Sequence, residues 1–236
     1  MKIKFGGLSA VLIVFAACLP ASAHHGRDFL LLETDDMPAR GESYFVASVD
    51  TIRTADERAT EITPGLVLRA GKRLAVEPHF HIAREAGESF RYAASALGVR
   101  LNLGDIGHTG WRAAISGEVE VTRNRAAEPS NGGFRLIAAR TCPRALVAAN
   151  AIVGHEFTAG GASDYALGLG ALTPLSNGDQ VGLESIISLP LHDGIEVLPS
   201  YSHRFGTRIQ GKLGVGIFHA RGYTSGTLHA QLVQRF

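Results

Sequence analysis

The chain has 236 residues, 45% of them hydrophobic, and a formal net charge of only +1. This near-neutral balance argues against a nucleic-acid-binding protein, which would carry a strongly basic surface. Beyond residue 23 no apolar stretch approaches the roughly 20 residues that a membrane-spanning helix needs, so a helical membrane protein is also excluded. Nothing in the sequence calls for a cofactor, and none is predicted.

The first residues are typical of an export signal. Lys2 and Lys4 precede an apolar run over residues 8–19, and Ala21-Ser22-Ala23 follows. A basic start, a short apolar core and a site of small residues predict a signal peptide over residues 1–23 that is cleaved after Ala23. The alternative is lipoprotein-type cleavage at Cys18, which follows two alanines.

The rest of the chain is dominated by alternating apolar and polar residues, which indicates β-strands with two different faces. In residues 111–122, for example, the odd positions are mostly apolar and the even positions mostly polar. Most alternating runs are about 9–14 residues long, which suits the strands of membrane barrels at about 9–11 residues better than soluble strands of about 5–6. The predicted fold is therefore all-β, a transmembrane antiparallel up-and-down β-barrel. Residues 44–236 are predicted to form the barrel, and residues 24–43 a periplasmic N-terminal segment.

Twelve strands are predicted, and ten is the alternative count because the first and sixth are weakest. They span 44–50, 61–70, 73–84, 90–102, 111–122, 133–141, 145–157, 164–174, 181–190, 194–205, 208–220 and 227–236. An even number returns the chain to the side where it started, as in single-chain bacterial barrels. With the N-terminus in the periplasm, the shorter set of connections lies on that side. No connection between strands is long enough to fold into a plug.

The last strand, Thr227 to Phe236, resembles the C-terminal strand of outer-membrane barrels, whose terminal aromatic residue marks the chain for the barrel-assembly machinery. It departs from that pattern at Gln234, where an apolar residue is usual. Residues His24 to Glu33, which open the mature chain, and the later residues Glu61 to Leu66 resemble uncharacterised barrels related to the phenol-degradation meta-pathway outer-membrane proteins. This resemblance implies a bacterial outer-membrane location, contact with outer-membrane lipid, and a role in transport.

The alternation also predicts which side chains line the lumen. The charged and histidine candidates are Arg73, Glu77, His79, His81, Arg100, Arg112, Glu118, Glu120, Arg204, Arg208 and Lys212. Charges of both signs can line a wet channel or join in a closed ion-pair network, since an unpaired buried charge is costly. Twelve strands fall between the filled eight-stranded barrel and the sixteen-stranded porin. The predicted function is a narrow channel or uptake protein for small solutes of unknown identity, and the alternative is a closed barrel with a structural or metal- or ligand-binding role.

Two pairs of histidines are candidate metal ligands. His79 and His81 lie on one face of one strand beside Glu77, where hydrogen bonding to carboxylates is the simpler interpretation. Cleavage after Ala23 would expose His24, followed by His25, and a terminal amine with an imidazole can chelate Cu(II). A solvated, frayed end that binds metal only incidentally is the alternative for this pair.

A lipid hydrolase is the least favoured function. It would need a lipid-facing serine within hydrogen-bond reach of a lipid-facing histidine. Pairing about a turn at His192-Asp193 sets Ser185 opposite Ser200, three residues from His203, or about 10 Å at a rise of about 3.3 Å per residue. No enzymatic activity is therefore predicted.

Overall fold

The computed structural model describes residues 29–53, 58–84, 87–123, 130–158, 161–189, 194–220 and 222–236, and it forms a closed barrel of twelve antiparallel strands. The strands are β1 (Ser43–Arg53), β2 (Arg58–Arg69), β3 (Leu74–Arg84), β4 (Arg91–Asp105), β5 (Arg112–Thr122), β6 (Asn131–Cys142), β7 (Ala145–Glu156), β8 (Ser163–Pro174), β9 (Gln180–Leu189), β10 (Gly194–Phe205), β11 (Ile209–Ala220) and β12 (Tyr223–Arg235). Each strand pairs with its neighbours in sequence, and β1 pairs with β12. The predicted all-β barrel is confirmed, with twelve strands rather than ten.

Alternation along the strands gives the barrel an apolar exterior. Many large hydrophobic side chains on its outer face are exposed, up to 62% for Val215, although such residues are usually buried in water-soluble proteins. Examples from around the barrel are Leu97, Val119, Leu136, Leu167, Leu183, Val215 and Ile217. An apolar surface that encircles the strands in this way suits contact with lipid acyl chains. Within the described ranges, no helix is long and apolar enough to cross a bilayer.

The two ends of the barrel differ in their connections. One end, called here the turn end, carries the connections at 70–73, 106–111, 143–144, 175–179 and 206–208, together with the start of β1 and the end of β12. The opposite end, with the remaining connections, is called the loop end. At the turn end the backbone N–H of Ser43 donates to the carbonyl of Phe236 at 2.9 Å, and the N–H of Phe236 donates back at 3.1 Å. These bonds join the first strand to the last residue of the chain.

Residues 29–38, called here the plug segment, lie inside the barrel rather than in the periplasm as predicted. Phe29, Leu32 and Asp35 of this segment are only 3%, 5% and 2% exposed. The reason is that its polar groups find partners on inward-facing side chains, which the next subsection describes. The predicted signal peptide and residues 24–28 lie outside the described residues. No loop forms a plug in the described part of the chain, but the segment that precedes β1 occupies the lumen.

Candidate functional site: the occupied lumen

Glu184 holds the first part of the plug segment by its backbone. Its side chain is fully buried on the inner face of β9. The N–H of Leu30 donates to both carboxylate oxygens at 3.0 Å, and the N–H of Leu31 donates to Oε2 at 2.7 Å. Backbone N–H groups away from water need such partners, because an unpaired one costs free energy. A carboxylate that accepts from two successive amides therefore fixes this part of the segment against the wall.

Asn150 holds the next part of the plug segment from β7. Its side-chain oxygen accepts from the N–H of Glu33 at 2.8 Å, while its side-chain nitrogen donates to the carbonyl of Glu33 at 2.9 Å. Asn150 is 2% exposed, so both bonds form away from solvent. The pair resembles the reciprocal bonding between two strands, and it holds the backbone of Glu33 against the wall.

Three arginines of the wall hold the carboxylates of the plug segment. Arg100, 2% exposed, contacts Glu33 at 2.9 Å, and it donates to the carbonyl of Asp36 at 3.1 Å. Arg112 contacts Asp35 at 3.1 Å. Arg135 lies 3.7 Å from the other carboxylate oxygen of Glu33. The bond from Arg100 to the carbonyl of Asp36 is a charge-assisted hydrogen bond, and the other three contacts are ion pairs.

Arg100 and Arg112 are among the predicted lumen residues, and the structure brings both to the plug segment. Arg100 also contacts a carboxylate of the wall. Glu77 on β3 lies 2.8 Å from the same guanidinium nitrogen that contacts Glu33 of the plug segment. Glu77 is also a predicted lumen residue and is 7% exposed. The ion-pair network that the sequence analysis offered as an alternative is therefore present, but it includes carboxylates of the plug segment.

Glycines on the inner face of β8 leave room for the apolar side chains of the plug segment. A Cβ built on Gly170 would lie 2.7 Å from Cδ1 of Leu32 and 2.8 Å from Cε1 of Phe29. A Cβ on Gly168 would overlap Leu32. Phe29 and Leu32 also pack in one cluster with Ala139, Leu146, Ala148 and Leu172. The small residues of the wall thus form a slot for these two side chains.

The loop-end half of the lumen has a different lining, in which imidazoles lie between carboxylates. His81 contacts Glu61 at 2.7 Å through Nδ1 and Glu120 at 3.3 Å through Nε2. His79 contacts Glu118 at 3.3 Å. The predicted lumen residues His79, His81, Glu118 and Glu120 therefore meet across β3 and β5.

A second imidazole between two carboxylates lies on β12 and was not predicted from the sequence. His229 contacts Asp50 at 2.6 Å and Glu196 at 2.9 Å. Asp50 is the cross-strand partner of Glu61, so the two groups are neighbours along the wall. Within the described residues, no three His, Cys, Asp or Glu side chains are arranged to hold a metal ion. The predicted copper ligands His24 and His25 lie outside those residues.

The remaining predicted lumen residues lie toward the turn end. Lys212 is buried and donates to Gln231 at 3.1 Å. Arg204 and Arg208 are exposed at the turn-end mouth, where with Arg235 they line a cavity of about 280 Å³. Arg73 is exposed in the connection before β3, because that strand begins at Leu74 rather than at residue 73. It is thus placed at the rim and not on a strand.

His203, the outward-facing histidine of the hydrolase hypothesis, does not lie near Ser185. Ser185 is paired with Val197 and not with Ser200, because the register between β9 and β10 differs by three residues from the expected one. Ser185 is therefore six residues from the level of His203, or about 20 Å at about 3.3 Å per residue. His203 instead contacts Asp179 in the connection before β9, at 2.8 Å.

Asp179 is the centre of a small polar cluster at the turn end. It accepts from the hydroxyl of Tyr201 at 2.5 Å and from the side-chain nitrogen of Asn177 at 2.7 Å. The bond from Tyr201, followed by those from His203 and Asn177, holds the pKa of Asp179 below its ordinary value. An aromatic hydroxyl with an apolar ring suits the boundary between lipid and water.

No known protein family matches the chain, and no curated protein matches it. Among solved structures, the KdgM porin in complex with disordered oligogalacturonate aligns with a TM-score of 0.54 and 10% identity over 80% of this chain and 97% of its own. A second structure of the KdgM porin gives 0.53 and 11% over 79% and 97%. The fold is that of an outer-membrane β-barrel. The translocator domain of autotransporter NalP from Neisseria meningitidis aligns at 0.48 and 14% over 83% and 88%.

Proposed function

We propose that this protein is a narrow outer-membrane channel for small solutes, closed by its own plug segment. The observation that carries the proposal is the way in which the wall holds that segment. Glu184 and Asn150 bind its backbone, and Arg100 binds both its backbone and a carboxylate. The segment reaches β1 through a single connection and is not part of any strand. It can therefore leave the lumen without breaking the barrel.

The charges at the two ends favour a channel with weak overall selectivity. The loop-end half presents carboxylates that outnumber the histidines lying between them, including Asp50, Glu61 and Glu196. The turn-end mouth presents Arg204, Arg208 and Arg235. Charged clefts concentrate ions of the opposite sign. Cations are thus favoured at one mouth and anions at the other.

The proposed location is the bacterial outer membrane, with the turn end toward the periplasm. The apolar exterior would contact outer-membrane lipid, and the C-terminal strand with Phe236 would be the part that the barrel-assembly machinery binds. Two of the solved structures that this chain resembles are of one porin, which supports a transport role over a catalytic one. The link to the phenol-degradation meta-pathway proteins stays a prediction.

The second candidate function is a permanently closed barrel with a structural or binding role. The observation that favours it is the number of partners around the plug segment. Beyond those already described, Asn102 donates to the carbonyl of Asp35 at 2.9 Å and Arg69 donates to the carbonyl of Pro38 at 2.7 Å. If these contacts never open, no solute passes.

Solute flux into proteoliposomes separates the two candidates. We expect slow uptake of a small sugar by the unmodified protein, and much faster uptake by the wall variant Asn150→Ala/Glu184→Ala, which loses the two backbone clamps. The control variant Asn177→Ala/Ser185→Ala removes an amide and a hydroxyl group outside the lumen and should behave as the unmodified protein. A wall variant that folds and assembles but admits no solute would support the closed barrel and overturn the channel.

A further inference from the structure

The site that holds the plug segment has the features of a peptide-binding site. It recognises main-chain groups, because Asn150 bonds both the N–H and the carbonyl of Glu33, and Asn102 bonds the carbonyl of Asp35. These bonds do not depend on the side chains of the segment. They require only N–H and carbonyl groups at the peptide spacing.

The same site selects acidic side chains. Arg100 and Arg112 contact the carboxylates of Glu33 and Asp35 at 2.9 and 3.1 Å. These two acids are separated by one residue, so an acid-x-acid sequence places both carboxylates on arginines. Arg100 is almost fully buried, so an uncharged occupant would leave it with fewer partners, which is costly for a buried charge.

From this geometry we infer that the lumen binds short acidic peptides with an acid-x-acid sequence, in competition with the plug segment. Such a peptide would enter from the turn end, where Arg204, Arg208 and Arg235 line the mouth and attract negative charge. A carboxylate-rich ligand of this kind would thus be the signal that releases the segment. Its role as the ligand that opens the channel rests on the proposed function, but its binding can be measured whether or not solute passes.

The test uses the full chain and the probe peptide acetyl-Glu-Thr-Asp-amide, which copies residues 33–35. In the variant Glu33→Gln/Asp35→Asn the plug segment lacks the competing carboxylates. Calorimetry in detergent should show this variant binding the probe at least about tenfold more tightly than the unmodified protein, since breaking a buried ion pair by removing one partner costs more free energy than a tenfold change in affinity represents. Adding Arg112→Gln should abolish the gain. The variant Glu88→Gln, which removes an exposed acid at the loop end, should bind as the unmodified protein does.

The uncharged peptide acetyl-Gln-Thr-Asn-amide is the matched ligand control. Equal binding of the charged and uncharged peptides, or no binding of the charged one to Glu33→Gln/Asp35→Asn, would overturn the inference. Binding of free glutarate as tight as that of the probe would overturn the peptide class, since it would mean that the main-chain contacts contribute nothing. If the double variant does not fold, the unmodified protein gives the answer, because the charged probe in excess should accelerate amide hydrogen exchange at residues 30–34 and the uncharged probe should not. A failure of solute flux would leave these binding results unchanged.

Discussion

Asn150→Ala should release the plug segment by a measurable factor. Asn150 makes two buried hydrogen bonds with the backbone of Glu33, at 2.8 and 2.9 Å. A typical hydrogen bond contributes about 0.5–1.5 kcal/mol net, so the loss of both should weaken the seat of the segment by about 1–3 kcal/mol. The equilibrium constant for release should then rise by about 5- to 150-fold.

Amide hydrogen exchange at residues 30–34 measures this equilibrium directly, because an amide exchanges only when its bond opens. Exchange at these positions should accelerate by the same factor in Asn150→Ala, while exchange in the middle of β11 stays unchanged. The control Asn177→Ala removes an amide outside the lumen and should leave residues 30–34 as protected as before. Unaltered exchange in a folded Asn150→Ala protein would refute the conclusion that this side chain holds the segment.

Three further outcomes are expected. Gly170→Ala should accelerate exchange at residues 30–34, since the added methyl lies 2.7 Å from Leu32 and overpacking costs about 1–3 kcal/mol; Gly226→Ala, with open space around it, should have no effect. The pKa of Asp179 is lowered in the folded protein, so its contribution to stability is present above the unfolded pKa near 4 and is lost as the pH falls below that value. The temperature of thermal unfolding should therefore fall less with acidification in Asp179→Asn than in the unmodified protein. Deletion of Phe236 should reduce the amount of barrel in outer-membrane fractions without reducing export, whereas equal assembly would contradict its role as a signal.

The strands could be predicted from the sequence because a membrane barrel repeats one simple rule. Each strand must present apolar residues to lipid and polar or small residues to the lumen, so alternation over long runs reveals both the strand and its inner face. Glu184 belongs to this predictable group, since it lies two residues after the inward Gly182, although it was not among the lumen candidates. His229 follows the same rule on β12.

The plug segment could not be predicted because its partners are distant in sequence. Leu31 is 153 residues from Glu184, and Glu33 is 117 residues from Asn150. Residues 29–32 are four successive large apolar residues, which indicates burial, but no local pattern indicates that they pack inside a barrel. The pairing of Ser185 with Val197 was missed for a different reason, since the register of a hairpin depends on its turn and the observed pairing is not centred on the expected turn at 192–193.

The central claim, that the plug segment closes an otherwise conducting lumen, is tested most directly by single-channel recording in planar bilayers. The unmodified protein should be closed for most of the recording, with brief openings of one small conductance. Asn150→Ala/Glu184→Ala should show the same conductance for a much larger fraction of the time, and Asn177→Ala/Ser185→Ala should match the unmodified protein. Persistent closure of the wall variant, with residues 30–34 in rapid hydrogen exchange, would contradict the account, because the lumen would then stay closed after the segment is released.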